Sequence, residues 1–259
     1  MKKTITAAMI VIGNEVLSGR TQDANIKHIG TELSLKGIQL LEVRIVPDVE
    51  SAIVDAVNAL RQRYDYVFTS GGIGPTHDDI TSDCIAKAFG VKNVPHPEGF
   101  PLLEAFYANK GVEFNAARQR MGHTPEGADL IKNDVSMAPG YRIGNVHVMA
   151  GVPRIMRDML AGILPTLEGG AVVQSKAITT DLPEGVLAEH LKALQNSYDS
   201  AVDIGSYPKD RRGKEGYIVS LIIRSSDEQV LNKVLAELKT ILEDLGGKFV
   251  DGEVPEDEL

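Results

Sequence analysis

A glycine-rich run that ends in paired acids, Ser70-Gly71-Gly72-Ile73-Gly74-Pro75-Thr76-His77-Asp78-Asp79, follows an apolar segment, Tyr66-Val67-Phe68-Thr69. Behind it, Ile80, Cys84, Ile85 and Ala88 share one helical face. Strand, tight turn and helix in that order leave a chain few folds to choose from, because the junction belongs to sheets that are covered by helices. Backbone N–H groups and the positive end of a helix converge at such a turn, so it suits an anion such as phosphate.

The same alternation runs through the N-terminal part of the chain. Apolar spacing predicts strands near 4–12, 38–46 and 64–70, and helices near 23–36, 49–63 and 79–89. That is the pattern of an α/β fold with a mostly parallel sheet covered on both faces. Between Pro95 and Pro125 the pattern is helical but interrupted. Two short strands, 141–143 and 146–149, then meet at Gly144-Asn145 in a hairpin. A helix follows Pro153 with Met156, Met159, Leu160, Ile163 and Leu164 inward, and Gly169-Gly170 ends it. Beyond that point the order changes to strand (172–180), helix (184–195), two strands (201–206 and 216–224) and a long helix (227–245), a small α+β unit. The expected division is therefore 1–168 for a first domain, 171–250 for a small second one, and 251–259 for a disordered acidic tail.

Composition narrows the function classes. The tail holds five acids and no base, and removing them from the formal charge of −9 leaves −4, which disfavours a nucleic-acid backbone as partner. No segment is long and apolar enough to cross a membrane, and the start lacks the cleavage pattern of a secretory signal, so a cytoplasmic protein is expected. The single cysteine, Cys84, excludes an internal disulfide and reads as a small core residue.

Several chemistry-bearing residues fall at strand ends. The first strand ends in Gly13-Asn14-Glu15, and Asp23 and Asn25 open the next helix. The second strand ends in Val46-Pro47-Asp48. Ligands of open parallel sheets bind beyond the carboxyl ends of strands at a switch in strand order, which places these loops and Gly71–Asp79 around one cleft. Asp23 and Asp48 also fit helix N-caps, and His77 fits a solvated turn residue. Glu15 has no helix to cap in this reading, which favours a functional role. Asp78 and Asp79 beside a phosphate cradle would repel the ligand unless a divalent cation lay between them. Met137-Ala138-Pro139-Gly140 and Gly151-Val152-Pro153 bracket the hairpin, where glycine permits close approach to a ligand and Pro153 suits a first helical turn. Lys209, Arg211, Arg212 and Lys214 read as a solvated basic turn.

In order, GNEVLSG, the Asp23 and Asn25 pair, VPD, SGGIGPTHDD with Thr81, MAPG and GVP resemble the MoCF-type molybdopterin-binding fold. More closely, they resemble the N-terminal part of the competence/damage-inducible CinA family, over about residues 4–168; the second domain is similar to that family's middle domain from Leu182-Pro183-Glu184-Gly185 onward. The resemblance implies a three-layer α/β/α domain, a homo-oligomer (dimer or trimer), and a metal-dependent pyrophosphatase acting on ADP-ribose or a related dinucleotide diphosphate. It implies Asp48 and Asp79 as catalytic acids, Asp78 and Asp79 as holders of Mg, Mn or Co, and Gly13, Asn14, Glu15, Asp23, Asn25, Gly71, Gly72, Gly74, Pro75, Thr76, Gly140, Gly151 and Pro153 around the substrate. Relatives in molybdenum-cofactor synthesis bind or adenylylate molybdopterin instead, and a non-catalytic nucleotide-sensing module is a third reading. The deamidase domain of the family is not part of this sequence, so deamidation is not implied. Ile155 stands where the GVP segment usually continues to a glutamate, and extends an apolar stripe.

Overall fold

The run Ile5–Ile12 (β1) is apolar at nearly every position because it lies inside a sheet with both faces covered, and only Thr6 escapes full burial. In the computed structural model, which describes residues 4–209 and 219–254, β1 leads into a single turn, α1 (Asn14–Leu17), then α2 (Asn25–Leu35), β2 (Ile38–Val46), α3 (Glu50–Arg61), β3 (Tyr66–Ser70) and α4 (Thr81–Phe89). An excursion follows in which β4 (Asn93–Pro95) pairs antiparallel with β5 (His123–Pro125) around α5 (Gly99–Asn109) and α6 (Ala116–Arg120). Asn115 explains the interruption expected here, since its side chain accepts a bond from the Arg118 N–H and starts α6 afresh. The chain returns through β6 (Asp129–Ile131), β7 (Gly140–Ile143), β8 (Val146–Met149) and α7 (Pro153–Ile163).

The sheet order is β2-β1-β3-β8-β7-β6. The pairs β1–β2, β1–β3 and β3–β8 are parallel, and β8–β7–β6 continues antiparallel. Alternation along β1 sends Ala8, Ile10 and Ile12 to a core under α3 and α4, and Ala7, Met9 and Val11 to a core under α2 and α7. The result is the three-layer α/β/α arrangement. At about 1.5–3 kcal/mol for each large apolar side chain buried, the two cores are the main favourable term. Ile155 packs partly buried against the second core, and Cys84 is buried in the first, where desolvation pushes its thiol up to about 11.

The chain divides into two compact units, Met1–Ala171 and Val172–Leu259. Next to this division, the Gly170 N–H donates to the Lys36 carbonyl at 3.1 Å, which fastens the diglycine Gly169-Gly170 to the end of α2 within the first unit. The second unit contains β9 (Gln174–Thr180), α8 (Glu184–Tyr198), β10 (Asp203–Pro208), β11 (Val219–Ser225), α9 (Glu228–Asp244) and β12 (Phe249–Asp251), with antiparallel sheet order β10-β11-β9-β12. Asp227 caps α9 by accepting from the Gln229 and Val230 N–H groups, and Leu231, Val234, Leu238 and Leu242 cover Ile178, Leu221 and Ile223. Asp251 closes a strand rather than opening a disordered tail, and the Gly252 N–H continues to the Ala177 carbonyl at 2.8 Å. The rest of the expected tail, 255–259, lies outside the described residues, as do Arg211, Arg212 and Lys214. Lys209 lies 3.8 Å from Glu253.

His147 is the unusual member of the first unit's interior. It is 2% exposed, stacks on Phe68 with ring centroids 5.1 Å apart, and its Nδ1 has no hydrogen-bond partner. Desolvation, reinforced by the Arg142 charge, pushes its pKa down to about 4, so the folded protein holds it neutral while the unfolded chain takes up a proton near 6.5. The unfolded state then binds more protons between about pH 4 and 6.5, and the stability contribution, complete above 6.5, is lost as pH falls through that window. Melting temperatures measured from pH 7.5 to 4.5 should decline, and His147→Leu should remove part of that decline. Equal slopes in the two proteins would refute the assignment.

Candidate functional site

Strand order reverses at β1: β2 lies on one side of it and β3 on the other. Such a switch opens a crevice beyond the strand ends. Here the crevice begins at Ile12-Gly13 and Ser70-Gly71.

The turn after β3 is shaped by two glycines in the left-handed region, Gly71 (φ 109°) and Gly72 (φ 70°). A Cβ on Gly71 would stand 2.1 Å from the Ile12 carbonyl oxygen, and one on Gly72 would stand 2.1 Å from Thr81 Oγ1. Thr81 closes the turn: its N–H donates to the Gly72 carbonyl and its hydroxyl to the Gly71 carbonyl, both at 3.0 Å. Gly151 comes in from the β8–α7 turn, where an added Cβ would lie 3.2 Å from Gly71 Cα. Asn25, 3% exposed, donates from Nδ2 to Ser70 Oγ (2.7 Å) and to the Gly151 carbonyl (2.8 Å), and its Oδ1 is buried without a partner. It therefore ties the start of α2, the end of β3 and the start of α7 together.

Asp79 turns back into its own loop and accepts from the Thr76 N–H at 2.8 Å and from the Thr76 hydroxyl. The nearby Thr76 side chain, then the residue's own N–H and then His77, hold the Asp78 carboxyl below the usual carboxylate range. Asp78 remains about half exposed, and His77 is solvated beside it at 3.9 Å. Arg120 on α6 donates from Nη2 to the carbonyls of Thr76 (2.9 Å) and Asp79 (3.3 Å). Sequence reasoning missed Arg120, since its position is set by the β4–β5 excursion and no local motif marks it.

Asp48 does not cap α3, whose N-cap is Val49 with no side-chain bond; its Oδ2 accepts instead from the Asn14 N–H at 2.9 Å. The stretch expected as a loop without a helix is α1, and Glu15 lies in its first turn with its carboxylate folded over Gly13. Asp23 is a cap, accepting from the Ile26 N–H at 2.7 Å. Pro75 and Thr76 form the exposed tip of the loop, while Gly74 faces the Asp79 carboxylate. Gly140 is buried in β7, where its neighbours are the Val148 carbonyl and Met159 Sδ rather than the diglycine turn. Pro153 is the first residue of α7.

A cavity of about 240 Å³ opens between this loop and the excursion, lined by Gly72, Asp79, Ser82, Asn93, Arg120 and His123 among others. α4 has no side-chain N-cap, and a helix's first N–H groups point beyond its end, toward the region that Ser82 and Asp83 line. Asp83 accepts from Asn93 Nδ2 at 2.7 Å, and Asn93 Oδ1 is buried without a partner. A wider cleft of about 600 Å³ lies over the other layer, where Asp23, Lys27, His28 and Arg157 line it. For a divalent cation the fit is poor in this arrangement. Asp79 is committed to Thr76 and Asp78 faces outward, and among the described residues there is no group of three or more His, Cys, Asp or Glu side chains that could hold a metal ion.

A three-layer α/β/α unit with a diglycine turn at its strand switch defines the class, and comparison with known proteins agrees with it. Residues 8–169 match the family model described as "Probable molybdopterin binding domain", and residues 172–246 match "FAD synthase, middle domain". The chain belongs to the first of these families, in its CinA-like form. A protein of Aeropyrum pernix is 32% identical over 263 residues, covering 96% of this chain and 98% of its own length. Protein PF0476 of Pyrococcus furiosus is 32% identical over 250 residues, covering 90% and 96%. The crystal structure of "the protein CinA with unknown function" from Thermoplasma acidophilum is 29% identical with a TM-score of 0.58, over 63% of this chain and 99% of that one. Among the described residues no helix is long and apolar enough to cross a membrane.

The close approach at Gly71 sets a test of the site's framework. Gly71→Ala meets backbone rather than a movable side chain, so it should destabilise the first unit by on the order of 3 kcal/mol, read as a lower urea midpoint. A midpoint within error of the wild type would show that the strand ends can part at little cost.

Proposed function

We propose that the first unit binds a phosphate-bearing small molecule of the molybdopterin type, free or adenylylated, with its phosphate at the diglycine turn. The observation that carries this reading is the cavity beside that turn, where the start of α4, which has no side-chain cap, lines the same space as Arg120 and His123. Thr81 holds the Gly71 and Gly72 carbonyls, and Arg120 holds those of Thr76 and Asp79, so the loop is pre-shaped and little ordering cost is left for the ligand to meet. Helix end and guanidinium supply positive potential, while Asp83 and Asp79 are engaged by Asn93 and Thr76. The family description points to the same ligand class.

The second reading is hydrolysis of ADP-ribose or a similar diphosphate. It is supported by Asp48 and Asp79, two carboxylates that follow β2 and β3, the strands on either side of β1. A divalent cation, Mg, Mn or Co, would offset phosphoryl charge in that reaction, and Asp78 and Asp79 would have to leave their present partners to hold it. Either acid could take the proton from the attacking water. A nucleotide-sensing module without turnover is the third possibility.

Pterin fluorescence in protein purified from a cofactor-producing host, and calorimetric binding of AMP and ADP-ribose, distinguish these readings. Bound pterin that Arg120→Ala reduces about tenfold or more supports the first. Release of AMP from ADP-ribose with Mg, Mn or Co, abolished in Asp79→Asn with the fold retained, supports the second. Nucleotide binding without metal or turnover supports the third, and no binding of any of these compounds sinks all of them.

A further inference from the structure

A phosphate alone does not account for Asp83, because a carboxylate that lines the same cavity of about 240 Å³ repels it. The place of Asp83 in the first turn of α4 would suit a helix cap, yet α4 has no side-chain cap. Its side chain reaches across to β4 instead, where Oδ1 accepts from Asn93 Nδ2 at 2.7 Å. Among the described residues no cation pairs with Asp83, and its Oδ2 has no hydrogen-bond donor.

Register in the β4–β5 pair decides what stands beside that carboxylate. Asn93 pairs with Pro125 and Pro95 with His123, so alternation puts Asn93 and His123 on one face, where both line the cavity, and Val94 and Thr124 on the other. Asn93 spends its amide N–H on Asp83 while its own Oδ1 stays buried without a partner. Reversing the amide would set that oxygen against the carboxylate, so each group holds the other in place. On the loop side, Arg120 gives Nη2 to the Thr76 and Asp79 carbonyls, and its Nε and Nη1 have no acceptor among the described residues. The cavity is therefore polarised, with a guanidinium toward the loop and an open carboxylate oxygen toward β4. At about 240 Å³ it is below the about 300–1,000 Å³ of pockets that enclose a whole small ligand, so it suits a phosphate and one ring system rather than a dinucleotide.

Two N–H donors side by side are the best match for a carboxylate. The amino-oxo edge of a pterin or a guanine offers them, a ring N–H beside an exocyclic amine. Adenine offers one amine beside a ring nitrogen whose lone pair would face the carboxylate. We infer that Asp83 is the specificity-determining residue of this cavity: it accepts from the ring N–H and the amine of an amino-oxo heterocycle and discriminates against adenine, and Asn93 is the residue that positions it. This inference rests on the phosphate site proposed above, and it sorts phosphate-bearing ligands by the ring they carry.

Calorimetry on the full chain with GMP, IMP and AMP tests it, because the three share a ribose phosphate and differ in the edge offered to Asp83. Wild type should bind GMP about tenfold or more tighter than AMP, with IMP, which keeps the ring N–H and lacks the amine, between them. Asp83→Asn retains the side-chain shape and removes the carboxylate, so it should weaken GMP about tenfold or more and AMP less than about threefold, closing the gap. Asn93→Ala should narrow the ratio of GMP to AMP affinity with Asp83 itself intact, which a loss of general stability would not do. Wild type that binds AMP as tightly as GMP, or an Asp83→Asn protein with an unchanged far-UV spectrum that loses both nucleotides equally, overturns the inference and leaves the phosphate site standing. No binding of GMP, IMP or AMP overturns both.

Discussion

The Gly71 α-carbon lies against the Ile12 carbonyl, and the rest of the first unit is arranged around that contact. It exists because β1 and β3 are neighbours in the sheet and leave it on the same side, so the two chains exit within van der Waals reach of each other. Only a residue without a side chain fits, and the positive φ that follows sends the chain across the crevice and back through Gly72 to Thr81. The Gly71 N–H completes the knot by donating to the Met149 carbonyl of β8. Three parallel strands, β1, β3 and β8, are thereby held at one level, and the helices that follow two of them, α4 and α7, start from fixed points.

Asn25 extends that control to the second layer. Because it is buried, both amide hydrogens are committed, one to Ser70 and one to Gly151, and the helix it opens cannot shift without breaking both bonds. Its unpartnered Oδ1 and that of Asn93 flag places where the interior is not fully satisfied. Both lie near the crevice side of the sheet, one in each layer. Two clefts flank the switch accordingly, a smaller one toward α4 and α6 and a wider one toward α2 and α7.

Acids at strand ends proved to have several structural duties. Asp23 caps α2, Asp48 holds the start of α1, Asp79 organises its own loop, and Glu15 lies in the first turn of α1. A carboxylate near a glycine turn is equally suited to a backbone N–H and to a ligand, because both offer the same positive partner. For that reason a row of acids at one sheet edge is not by itself a mark of catalysis.

Periodicity alone made much of this molecule readable. The α/β order, the two-residue hairpin at Gly144-Asn145, the inward face of α7 and the α+β character of the second unit all follow from side-chain spacing, which reports burial on one face at a time. The glycine-rich turn itself was legible too, since glycine at such a junction answers a local backbone demand. What lay beyond the sequence was every relation between distant segments. Arg120 reaches its loop from 41 residues away, Asn25 bridges to residues 70 and 151, and Asp48 bonds Asn14 rather than the helix beside it. Local pattern determines which elements form and which of their faces is apolar, because those forces act between near neighbours. Only the folded chain decides which side chains meet, because that depends on strand order and register, to which no single segment holds the key.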